Sequence, residues 1–125
     1  KETIQEKLKR FLDHESLGIS KDQYLRMVEQ TGEEIDWDKI PPEASDFPDI
    51  VITALNIYYS LGDRIYPDVG YIGKDFTTLP ILFKIHNIED YEESYIMELL
   101  LFLDGRTIEK SQKQLKAQMD KIKRK

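Results

Sequence analysis

The chain has 125 residues, 40% hydrophobic and 34% charged, with a formal net charge of −6; a chain of this length suits one domain with a modest core. It has no cysteine, which excludes a disulfide framework, a thiolate metal site and a cysteine nucleophile together. Its apolar runs, at residues 50–55 and 96–103, fall far short of the roughly 20 residues that cross a bilayer, and no signal-peptide pattern follows Lys1, so a cytoplasmic setting is expected.

Residues 2–17 read as a first amphipathic helix, with Ile4, Leu8, Phe11 and Leu12 at the spacing of one helical face. Gly18 ends it. Ser20 is a good N-cap for a second helix, Gln23 stands where a capping box places it, and Gly32 stops the run. The two are expected to form a helical hairpin. Residues 33–48 show no period and hold three of the five prolines, and Ile35, Trp37, Ile40 and Phe47 are apolar enough to anchor this stretch as an ordered loop.

A third helix is expected over residues 48–61, with Pro48 in the first turn, Gly62 at the C′ position, and apolar residues around most of its circumference. It is the expected core helix. The segment 63–76, rich in Gly, Pro, Asp and Tyr, reads as a structured loop or short hairpin. Thr77 or Thr78 then caps a short fourth helix with Pro80 in its first turn and Leu79, Ile81, Leu82 and Ile85 facing inward. A fifth helix starts near Asp90, whose charge together with Glu92 and Glu93 complements the positive end of the helix dipole, and runs to Leu103. Asp104-Gly105 is the expected break. Thr107 then caps a last helix in which Ile108, Leu115, Met119 and Ile122 form a thin apolar stripe.

The fold class this predicts is all-α: five or six helices around two central hydrophobic helices, with ordered Pro/Gly-rich loops and a basic C-terminal helix. Charge divides the chain at the same place as the expected break. Residues 1–105, the acidic helical body, hold 22 Asp and Glu against 10 Lys and Arg, whereas residues 106–125, the basic C-terminal helix of the same domain, hold 8 Lys and Arg against Glu109 and Asp120.

No motif for catalysis, metal or cofactor emerges. The string Gly70-Tyr71-Ile72-Gly73-Lys74-Asp75 has a phosphate loop's residue types but the wrong glycine spacing, and an Asp where Ser or Thr would hold magnesium; a tight turn is the expectation. Asp36 and Asp38 resemble the start of a calcium loop, but Pro41 occupies the glycine position and Phe47 the twelfth. His14 and His86 stand at no ligand spacing. The tyrosines, with Trp37 and Phe76, lie in an acidic body that repels phosphate, so they read as core and loop anchors. An enzyme working in the 63–76 segment would use Asp63, Arg64, Tyr71 and Lys74.

The stretch IPPEASDFPDIVITALNIYYSLGDRIYPDVGYIGKDFTTLPILF, followed by LDGRTIEKSQKQLKAQMDKIKRK, resembles a pattern of small acidic proteins encoded by large T4-like tailed bacteriophages. The resemblance covers residues 40–125. It implies a virus-encoded helper in the host cytoplasm, of tail or particle assembly, and brings no catalytic residue with it.

The expected function is a non-enzymatic protein-interaction or assembly helper, without cofactor or metal, that docks a protein partner or a second copy through its last helix. Leu115, Met119 and Ile122 are the expected apolar anchors, with Lys113, Lys116, Lys121, Lys123 and Arg124 around them. The alternative is a nucleic-acid-binding accessory protein with the tail as an electrostatic clamp. No membrane role is expected.

Overall fold

The computed structural model describes residues 2–18, 20–36 and 40–123, the side chains of residues 15–17 aside. In chain order it has helices α1 (Ile4–Leu17), α2 (Lys21–Thr31) and α3 (Asp49–Ser60), strands β1 (Gly62–Tyr66) and β2 (Gly70–Asp75), and helices α4 (Leu79–Ile85) and α5 (Asp90–Lys123), with a 3₁₀ turn at Ala44–Asp46. The chain separates into two compact units, Lys1–Pro48 and Asp49–Lys125. The fold is mostly helical but includes a two-stranded antiparallel sheet, which corrects the all-α expectation.

In the first unit the α2 boundaries are set by local chemistry. Ser20 Oγ accepts the Gln23 amide at 3.2 Å and Gln23 Oε1 accepts the Ser20 amide at 2.9 Å, a complete capping box. Gly32 ends the helix in the left-handed region at φ 72°, its N–H bonding to the Val28 carbonyl. The principal packing pairs are β1 with β2, β2 with α5 and α3 with α5. In the first unit α1 holds the loop that follows α2: Arg10 Nη1 donates to the Ile40 carbonyl at 3.3 Å, Lys7 Nζ to the Asp46 carbonyl at 2.7 Å, and Phe11 meets Phe47 edge to face at 5.4 Å. Phe47 is the buried anchor, whereas Ile35 is exposed and Trp37 lies outside the described residues.

In the second unit, α3 and α5 supply the core. Val51, Ile57, Ile96 and Leu100 are wholly buried, with Leu99, Ala54 and Leu103 nearly so. Gly62, expected as a left-handed helix cap, instead opens β1. The hairpin turn has Pro67 at its second position, the Val69 amide bonds to the Tyr66 carbonyl at 3.2 Å, and Gly70 follows at φ 84°, the pattern of a type I turn closed by a left-handed glycine. The pairing Arg64 with Gly73 is followed by Ile65 with Tyr71, which leaves Ile72 as the extra residue of a β-bulge. The strands show no simple in–out alternation, because every residue of β1 is exposed and β2 is bulged. In α4 only Leu79 is buried, and Ile81 and Ile85, expected to face inward, are exposed.

The largest departure from expectation is α5, a single helix of 34 residues that passes straight through Asp104-Gly105. Thr107, expected as an N-cap, sits inside it, its Oγ1 donating back to the Leu103 carbonyl at 3.0 Å. Gly105 carries no positive φ, and a Cβ added there meets nothing within 4 Å. Gly105→Ala is therefore expected to raise stability by about 0.5–1 kcal/mol, since alanine loses less backbone entropy in an exposed helix interior. Urea unfolding checks this, and a loss of stability would mean that the helix bends or breaks at this point.

Candidate functional site

The chemistry of the second unit converges on one carboxylate. Asp104 belongs to the inward phase of α5, one position beyond Leu103 and four beyond Leu100, and is only 6% exposed. Tyr71 Oη, from β2, donates to Asp104 Oδ1 at 2.5 Å, and Tyr58 Oη, from α3, lies 3.2 Å from the same oxygen. The Lys74 backbone N–H is shared by both carboxylate oxygens at 3.2 and 3.1 Å. Tyr58 Oη also reaches Thr107 Oγ1 at 2.9 Å and lies 3.4 Å from Tyr71 Oη. Three elements thus meet at one acceptor, satisfying the demand that a buried charge be hydrogen-bonded.

Backbone geometry makes the approach possible. Gly73 adopts φ 130°, and a Cβ there would stand 3.0 Å from Asp104 Oδ2 and 3.3 Å from Arg64 Nη2, so a side chain would wedge β2 off the helix. The bulge at Ile72 lets Tyr71 and the Lys74 amide address the same carboxylate. The Lys74 side chain runs beneath β1, its ammonium donating to the Leu61 carbonyl at 3.2 Å, pairing with Asp63 at 2.7 Å and lying 4.9 Å from the Tyr58 ring centroid.

Burial pushes the Tyr71 hydroxyl far above its ordinary value near 10, and its hydrogen bond to Asp104 acts in the same direction. Tyr58 is also raised, chiefly by burial, against the opposing hydrogen bonds of Thr107 and Tyr71. Because both folded values lie above the unfolded one, their stabilisation is complete below pH 10 and is lost as pH rises beyond it, where the unfolded chain binds fewer protons. Denaturant midpoints are therefore expected to fall from about pH 10 upward, and less steeply in Tyr71→Phe. Identical slopes in the two proteins would refute the assignment.

The turn expected at residues 70–75 is thus a strand, and the anion its lysine amide binds is the chain's own carboxylate. Tyr71 and Lys74 are buried and paired, while Asp63 and Arg64 lie exposed on β1. Sequence reasoning missed Asp104, which it took for a helix break. The available signal was its phase, since it continues the Leu100 and Leu103 face toward Thr107. Among the described residues, no group of three or more His, Asp or Glu is placed to hold a metal, and no helix is long and apolar enough to cross a membrane.

Of the residues expected to bind a partner, Lys113, Leu115, Lys116, Met119, Lys121, Ile122 and Lys123 share the last three turns of α5. Residues 113–123 are exposed except for the half-buried Leu115; Met119 is 51% and Ile122 73% exposed. Lys113 pairs along the helix with Glu109 at 3.1 Å, Lys116, Lys121 and Lys123 are exposed, and Arg124 lies outside the described residues. The hairpin is bonded to α5 at the edge of this region, Gln112 Nε2 donating to the Val69 carbonyl at 3.3 Å. At 1.5 Å per residue, about 16 Å of helix continues past that point. Comparison with protein-family models, with curated proteins and with solved structures finds no match.

Proposed function

We propose that the chain is a non-enzymatic protein-interaction or assembly helper that docks through the C-terminal part of α5. One observation carries this reading: the helix extends past the hairpin with Met119 and Ile122 exposed on a face bordered by lysines. Isolated short helices are marginal in water, but this one is nucleated by the buried turns around Leu100, so its last turns are presented already formed. Preorganisation of that kind lowers the ordering cost of docking. The phage resemblance over residues 40–125 and a cytoplasmic setting belong to the same proposal, as the context in which such a helper would act.

The test is affinity capture of partners from the native host with the wild-type chain and with a variant carrying Leu115→Ser, Met119→Ser and Ile122→Ser. Partner recovery is expected to fall at least tenfold in the variant, corresponding to about 1.4 kcal/mol or more from lost apolar burial. Unchanged recovery would sink the reading. The exposed lysines support a second reading, a phosphate clamp. It requires duplex affinity that falls steeply with salt and survives the triple change.

A further inference from the structure

A heptad seam runs the whole length of α5, exposed at most of its positions. Starting at Tyr91 and stepping alternately three and four residues, the seam reaches Leu101, Gly105, Leu115, Met119 and Ile122, with Ser94, Glu98, Ile108 and Gln112 at the intervening steps. This is the 3.5-residue repeat of a coiled coil. Tyr91 is 83% exposed, Leu101 56%, Met119 51% and Ile122 73%, and only Ile108 and Leu115 are half-buried. The hairpin borders the seam at Ile108, whose Cδ1 lies 3.6 Å from where a Gly73 Cβ would stand, and at Gln112, which bonds to the Val69 carbonyl.

The charge of α5 is segregated along the same axis. Before Gly105 the helix holds Asp90, Glu92, Glu93, Glu98 and the buried Asp104 with no Lys or Arg; after it come Arg106 and Lys110, Lys113, Lys116, Lys121 and Lys123 against Glu109 and Asp120. The helix dipole accounts for charges in the first and last turns only. Glu98, Lys110, Lys113 and Lys116 lie outside those turns.

We propose that the partner docked by α5 is a second copy of this chain, the two α5 helices pairing antiparallel along the seam. The inference rests on the docking reading above and names its occupant. Parallel pairing would set basic half against basic half, whereas antiparallel pairing sets each basic half against an acidic one. One register brings the two seams into line from end to end. When Asp90 stands opposite the second copy's Lys123, the helix ends are flush and the seam maps onto itself: Tyr91 meets the second copy's Ile122, and Ser94 meets its Met119. In the middle, Gly105 meets the second copy's Ile108, a small residue opposite a large one. Glu98 then falls opposite the second copy's Leu115 and beside its Lys116, and Leu101 opposite its Gln112. The interface is isologous and closed, as a two-fold dimer requires.

Sedimentation equilibrium of the full chain, from micromolar to near-millimolar concentration, tests this. A reversible monomer–dimer equilibrium is expected. Leu101→Asp, at an exposed position that leaves the core intact, is expected to abolish the dimer. Glu98→Lys or Lys116→Glu alone is expected to weaken it about fivefold through two symmetry-related ion pairs, and the two changes together to restore it. Because the chain has no cysteine, a mixture of the single variants Tyr91→Cys and Ile122→Cys reads the orientation. Antiparallel pairing gives disulfide dimers in the mixture and none from either variant alone. A monomer at every concentration, or crosslinking of one variant by itself, overturns the proposal. Docking of another protein would still stand if the triple serine variant loses that partner.

Discussion

Asp104→Ala is expected to cost about 3 kcal/mol or more of unfolding free energy, visible as a large drop in the urea midpoint. The cost comes from what remains behind. Removing the carboxylate orphans the Tyr71 hydroxyl and the Lys74 amide together, and leaves Tyr58 only its contacts with Thr107 and Tyr71; each buried donor left without an acceptor costs about 1–3 kcal/mol. Asp104→Asn keeps one acceptor oxygen and is expected to lose less. Tyr71→Phe is the informative partner: in that background one orphan is already gone, so the double variant should be more stable than the sum of the single losses implies. A drop below about 1 kcal/mol in Asp104→Ala would mean that the hairpin does not seat on this carboxylate.

Leu100→Ala is the second large effect, about 2–5 kcal/mol from lost burial and an unfilled cavity. Leu100 is wholly buried in the α3–α5 core, whereas its neighbour Leu101, about 100° further round the helix, is 56% exposed. Leu101→Ala is accordingly expected to stay within about 0.5 kcal/mol of wild type at dilute concentration. Equal losses at the two positions would show that the phase of α5 is wrong by a residue or more. The comparison also separates stability from self-association, since Leu101 belongs to the seam.

Much of the helical content was legible because its signals are local. Ser20 and Gln23 close their box within three residues, Gly32 needs only its own left-handed backbone, and the acidic first turn of α5 answers its own dipole. The hairpin was half legible: the Gly, Pro and Asp content of residues 63–76 announced a turn. The strands did not announce themselves, because β1 is exposed on both faces and the bulge at Ile72 breaks the alternation of β2.

The sequence by itself determined the caps of α2, the buried faces of α3 and α5 and the segregation of charge along the chain. Only the tertiary structure decided that Asp104-Gly105 continues a helix. Read locally, the dipeptide looks like a stop. Its fate depends on donors 33 and 30 positions away, the Tyr71 hydroxyl and the Lys74 amide, which turn a helix-interrupting carboxylate into the point where β2 is held to α5. The same continuity extends the helix past the hairpin as a preformed surface, and joins an acidic half and a basic half into one seam.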